Sequence, residues 1–254
     1  MLVRHTRVLL TGACLGLALS ALPTGTKAQV VLEEQSNWGP ALTSLGNSIF
    51  LAWTGRDAKL NVMRSPDGVD FRSKIILEEK SDLPPSLATL NDKLFIAWTG
   101  RDGKINIMRS DDGIDFRAKI TLEEQSMSDP GLVSLDGRLF LVWRGRDDKI
   151  NIMRSSEGID WGGKVILEEQ TAERPSLSSL DGRLFISWTG RDGKINIMRS
   201  SSGIDWGGKV TLEDQTQDAP RLIALNERLY LAFTGRRGNE KLNVRRSAEG
   251  IDWR

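Results

Sequence analysis

The chain has 254 residues, 27% of them charged and 39% hydrophobic, with a formal net charge of +1. This is an ordinary globular composition, and its near-neutral balance gives no electrostatic footprint for nucleic acid or an anionic membrane. A single cysteine and a single histidine exclude a disulfide framework and any zinc site built from several such ligands.

Residues 1–28 stand apart from the rest. Arg4 and Arg7 make a positive start, Val8 to Leu22 is mostly apolar, and Thr26-Lys27-Ala28 ends on a small residue. This is the pattern of a cleaved secretory signal, and it predicts a secreted or periplasmic protein. The apolar run is short for a membrane span of about 20 residues. Leu10 to Cys14 loosely resembles a lipobox, departing from it at Thr11. Cleavage after residue 28 would remove both Cys14 and His5, leaving neither thiol nor imidazole. It would also remove Arg4, Arg7 and Lys27 and no acid, so the mature chain would be slightly acidic.

From residue 29 to 254 the sequence repeats five times with a period of 45 residues. The marker is Trp53, Trp98, Trp143 and Trp188, with Phe233 in the fifth copy. In the second copy, strands are predicted over 85–90, 93–99, 104–109 and 116–123. They are separated by turns rich in Asn, Asp and Gly. No segment carries a capped 3.6-residue period. Four antiparallel strands per repeat of this length predict an all-β fold, a five-bladed β-propeller of four-stranded blades. The fifth copy ends at Trp253-Arg254, before its fourth strand, and Val30 to Gln35 matches that strand. The expectation is a ring closed by the N-terminal strand completing the last blade.

Each turn between the third and fourth strands has one pattern, from Ser65-Pro66-Asp67-Gly68-Val69-Asp70-Phe71 to the counterpart Ser247 to Trp253. It resembles the Asp-box of bacterial neuraminidase (BNR) repeats, roughly Ser-x-Asp-x-Gly-x-x-Trp. Each copy here is one residue shorter, and Asp67 and Asp112 become Glu157, Ser202 and Glu249. The resemblance covers all five copies and implies a sialidase-superfamily type of propeller, in which this turn is a folding element away from the active face. The Gly-His signature of WD repeats cannot occur without histidine, and kelch repeats would need paired glycines and longer blades.

In a meander, the turns after the second strands share one rim with the blade-to-blade connections. That rim presents Arg56-Asp57, Arg101-Asp102, Arg146-Asp147, Arg191-Asp192 and Arg236-Arg237, beside acidic connections such as Glu78-Glu79 and Glu123-Glu124. Trp53, Trp98, Trp143 and Trp188 lie a few residues below. Planar hydrogen-bonding groups next to an aromatic face suit a sugar, and several weak equivalent sites raise avidity. The same residues also read as turn-supporting ion pairs and inter-blade core.

A sialidase-like active site would need a tyrosine nucleophile. Tyr230 is the only tyrosine, and it replaces Phe50, Phe95, Phe140 and Phe185 at a core position. A two-carboxylate glycosidase needs no tyrosine, but no pair of acids stands out. The leading expectation is therefore a carbohydrate-binding, lectin-like propeller with glycans as partners. A sialidase-like or other glycoside hydrolase and a protein-interaction or structural propeller are the alternatives. No cofactor or metal is expected, and no acidic run has the spacing of an EF-hand loop. Oligomeric state is not legible in the sequence.

Overall fold

The computed structural model describes residues 30–236 and 240–254, so the expected signal segment lies outside the described residues. Every strand falls within one compact unit, Leu32–Arg254. Blade 1 is β1 (Ala41–Leu45), β2 (Ser48–Thr54), β3 (Lys59–Ser65) and β4 (Arg72–Lys80). Blade 2 is β5 (Ser86–Leu90), β6 (Lys93–Thr99), β7 (Lys104–Ser110) and β8 (Arg117–Gln125). Blade 3 is β9 (Gly131–Leu135), β10 (Arg138–Arg144), β11 (Lys149–Ser155) and β12 (Gly162–Gln170). Blade 4 is β13 (Ser176–Leu180), β14 (Arg183–Thr189), β15 (Lys194–Ser200) and β16 (Gly207–Gln215). Blade 5 is β17 (Arg221–Leu225), β18 (Arg228–Thr234) and β19 (Leu242–Ser247). Each sheet is an antiparallel meander, and the whole is a five-bladed β-propeller. Among the described residues there is no helix, and so none long and apolar enough to cross a membrane.

The second strand of each inner blade reads as a continuous apolar run because both of its faces are covered by neighbouring sheets. β6 and β14 are buried along nearly their whole length. The core therefore lies between successive blades rather than inside any one of them. One cluster joins Leu60 and Val62 of blade 1 to Leu94, Ile96 and Trp98 of blade 2, and equivalent clusters follow down to blade 5.

The recurring turn is held by its own side chains. Ser65 Oγ accepts the Gly68 N–H at 2.9 Å and donates to Asp67 Oδ1 at 2.9 Å. Asp67 Oδ1 also accepts the Val69 and Asp70 N–H groups at 2.9 and 2.8 Å. In the fourth blade Ser202 Oγ takes over these two acceptor roles. The aromatic that closes the turn, Phe116 in blade 2 and Trp161 in blade 3, packs into the interface with the preceding blade. Backbone donors hold the Asp67 and Asp112 carboxyls at about 2, against an ordinary value of 3.8. A depressed folded pKa contributes stability that is complete above the unfolded value and is lost as pH falls through the folded one. Acid unfolding should therefore steepen between pH 4 and 2. The double variant Asp67→Asn, Asp112→Asn should flatten that part of the melting-temperature profile.

The expected closure is not made. Residues 32–35 form no strand, and the fifth sheet has three strands. Arg254 exchanges backbone bonds with Arg246 at 2.9 and 3.0 Å, which is the first rung of a fourth strand. Residues 32–35 instead stay beside blade 1. Glu34 pairs with Lys74 at 2.5 Å, as Glu79 pairs with Lys119, Glu124 with Lys164 and Glu169 with Lys209 in later blades. Packing runs from β1 to β5, β9, β13 and β17, and no packing of comparable extent joins β17 to β1 among the described residues. Residues 32–35 are not paired with β19, whose sheet is β17-β18-β19. The two end faces are correspondingly bare: Leu42 is 60% exposed, Val244 65% and Leu242 87%, whereas Ile105, the counterpart of Leu242, is 0%. Leu242→Ala should change stability by no more than about 0.5 kcal/mol, while Ile105→Ala should cost about 2–5 kcal/mol. Equal losses in urea unfolding would mean that the face is covered in solution.

Candidate functional site

The β2–β3 turn and its equivalents are rigid. In blade 2, Gly100 N–H donates to Lys104 O at 2.8 Å and Gly103 N–H to Gly100 O at 2.9 Å. Asp57, Asp102, Asp147 and Asp192 each use Oδ1 to accept the N–H of the lysine two residues on, at 3.0–3.1 Å. Each such lysine bonds the first glutamate of its own outer strand, as Lys104 does with Glu123 at 2.9 Å. The second glutamate ties to the next blade. The paired glutamates on these strands thus serve as structural links.

The arginines are exposed and point in varied directions from this fixed base. Arg101 donates from Nε and Nη2 to Asp82 at 3.1 and 3.0 Å. Arg191 reaches Asp148 Oδ2 at 3.0 Å, and Arg236 reaches Gln215 at 3.0 Å. Arg56 and Arg146 have no side-chain partner among the described residues, and Arg237 lies outside them. Exposed pairs of this kind are worth about 0–1 kcal/mol and yield readily to a ligand. Between the first two blades Asn37, Thr54, Arg56, Ser81, Asp82 and Arg101 surround a pocket of ≈ 250 Å³.

The tryptophans do not belong to this surface. Trp53, Trp98, Trp143 and Trp188 are 1–3% exposed. A lysine of the outer strand covers each ring, with Nζ 5.6–5.8 Å from the centroid. Because β2 and its equivalents are covered on both faces, the ring has no side left open. Their role is inter-blade packing, with the lysine held between ring and glutamate. The recurring Asn61, Asn106, Asn151 and Asn196 are likewise buried, each donating to the carbonyl of the lysine two residues back at 2.9–3.1 Å.

Sequence reasoning missed a second feature. At the axis, the blade connections surround a cavity of ≈ 540 Å³. Each connection is pinned by the end of the second strand: Thr54 Oγ1 donates to Leu83 O, Thr99 to Ser128 O and Thr189 to Asp218 O, all at 2.7 Å. In blade 3 Arg144 replaces this threonine, donating to Ala172 O at 2.6 Å and to Asp148 at 2.8 Å. Asp129 is buried against Arg174, and burial pushes its carboxyl up despite that partner. Burial also raises Glu173, against the opposing charge of Arg144 and with smaller contributions from Asp218 and Asp129. A signal for these residues exists in the sequence. The two residues before each constant proline are where the copies differ most: Trp38-Gly39, Leu83-Pro84, Ser128-Asp129, Glu173-Arg174 and Asp218-Ala219.

No family model matches the chain, and no curated protein matches it. Solved structures do. The BP39L lectin from Burkholderia pseudomallei superposes with a TM-score of 0.68 at 13% identity, over 84% of this chain and 68% of that one. A mutant of Aleuria aurantia lectin in complex with α-methyl-L-fucoside gives 0.61 at 12% identity, over 82% and 72%. The GH43_1 enzyme from Xanthomonas citri, complexed with xylose, gives 0.53 at 13% identity, over 85% and 88%. At these identities the shared property is the propeller fold, which carries both lectins and glycoside hydrolases.

Proposed function

We propose that the chain is an exported, carbohydrate-binding propeller with repeated weak sites on the rim of the blade connections. The observation that carries this reading is the polar pocket between blades 1 and 2. There Arg56 and Arg101 stand on turns fixed by their own aspartates, and Asp82, Asn37 and hydroxyl groups complete the wall. Convergent planar donors and acceptors in a concave site suit sugar hydroxyls. The lectins of the same fold support the reading. Arg146, Arg191 and Arg236, with Asp57, Asp102, Asp147 and Asp192, are the proposed equivalents around the rim. The buried Trp53, Trp98, Trp143 and Trp188 lie outside the proposed site.

A glycan array tests the proposal, with binding to at least one glycan class expected. Arg101→Ala should then weaken retention on a dense glycan surface, and adding Arg191→Ala should weaken it again, each by roughly tenfold. Unaltered retention would take the arginines out of the site.

Hydrolysis is the second reading, and one observation favours it. Glu173 is pushed up beside Asp218 in the axial cavity, the direction a general acid requires. Turnover of aryl glycosides that is abolished by Glu173→Gln would support it.

A further inference from the structure

The five segments that lead into the first strands of the blades are equivalent in sequence position but not in chemistry, and the first of them carries an exposed aromatic. Trp38 is 48% exposed, while its counterparts are Leu83, Ser128, Glu173 and Asp218. Its position is fixed locally. Its N–H donates to Ser36 Oγ at 3.2 Å, and Ser36 Oγ donates in turn to Thr54 O at 2.8 Å. Ser36 also bridges Gly55 of the same blade. The residue is therefore held at the inner end of blade 1, pre-organised before any ligand arrives.

Trp38 lines two cavities at once. One is the ≈ 250 Å³ pocket between blades 1 and 2, and the other is the ≈ 540 Å³ axial cavity. On the axial side the Glu173 and Asp218 carboxylates have no hydrogen-bond partner among the described residues, which leaves them free to accept from hydroxyls. On the rim side stand Arg56, Arg101 and Asp82. An aromatic between a polar rim pocket and a mixed polar and apolar axial cavity, each of saccharide size, is the layout of a subsite ladder. A pyranose face stacks on the ring, and the flanking sugars reach polar groups on either side.

We infer that the rim pocket of blade 1 and the axial cavity form one extended site for an oligosaccharide, with Trp38 as the stacking platform between them. This rests on the carbohydrate reading and deepens it. The other blade junctions lack the aromatic and take single sugar units. The extended site takes a chain of at least three units running from rim to axis, so the protein has one high-affinity site for chain length among several weak ones.

The test uses the whole chain and three homologous series of one to four units: xylo-, cello- and chito-oligosaccharides. Binding is followed by calorimetry and by tryptophan emission. In the series that binds, affinity should rise about tenfold from one unit to three, with a change in emission. Trp38→Ala should abolish that rise and the emission change, leave binding of the single unit at the other junctions, and leave the melting temperature unchanged. Trp38→Phe should keep part of the rise. Binding that does not depend on length, or length dependence that survives Trp38→Ala, overturns this inference alone. No binding by any series overturns the inference, and a silent glycan array besides overturns the carbohydrate reading with it.

Discussion

Trp98→Ala is expected to destabilise the protein by about 3–5 kcal/mol, a fall on the order of 10 °C in melting temperature for a unit of this size. The indole is 1% exposed and packs with Leu60, Val62 and Leu77 of the preceding blade. Removing it leaves a cavity at an inter-blade surface, and blades that contact only their neighbours cannot redistribute the loss. Lys119 also loses the ring that it covers, keeping only its glutamate partner. Urea unfolding at constant slope measures the change. A loss below about 1 kcal/mol, accompanied by loss of sugar binding, would instead make the ring a ligand face.

The second large effect is at a turn glycine. Gly158 has φ of 71°, and an added Cβ would lie 2.1 Å from Cε1 of Phe95 in the preceding blade. Gly158→Ala should cost about 1–2 kcal/mol for the left-handed backbone and about 1–3 kcal/mol for overpacking. Gly182 is the control. Its φ is 68° and a Cβ added there would meet nothing within 4 Å, so Gly182→Ala should show the backbone cost alone. Equal losses at the two sites would mean that the glycine–phenylalanine contact does not set the blade spacing.

That contact also explains what could and could not be read from the residues. The repeat period marked the blade number, and the Gly-, Asn- and Asp-rich turns marked the strands to within a residue or two. The Ser-x-Asp-Gly turn was legible because its hydrogen bonds are local, within the span of Ser65 to Asp70. Closure was not legible. Val30 to Gln35 carries the right side chains for an outer strand, but the angle between blades is set by how Phe95 meets Gly158 and how Trp98 meets Leu60. No pattern within one strand encodes that angle. The tryptophan face was ambiguous for a related reason: a run buried on both sides has no alternation to show which way a ring points. The axial residues were hidden by the repeat itself. Attention to what the copies share passes over Trp38, Asp129, Glu173 and Asp218, which sit where the copies differ.

The central claim is that the rim arginines mark several equivalent sugar sites on one chain. Titration calorimetry with the best monosaccharide from the array tests it most directly. More than one weak site per chain is predicted, with the count falling as Arg56→Ala, Arg101→Ala and Arg146→Ala are combined. A single site, or a count that no arginine substitution changes, would contradict it.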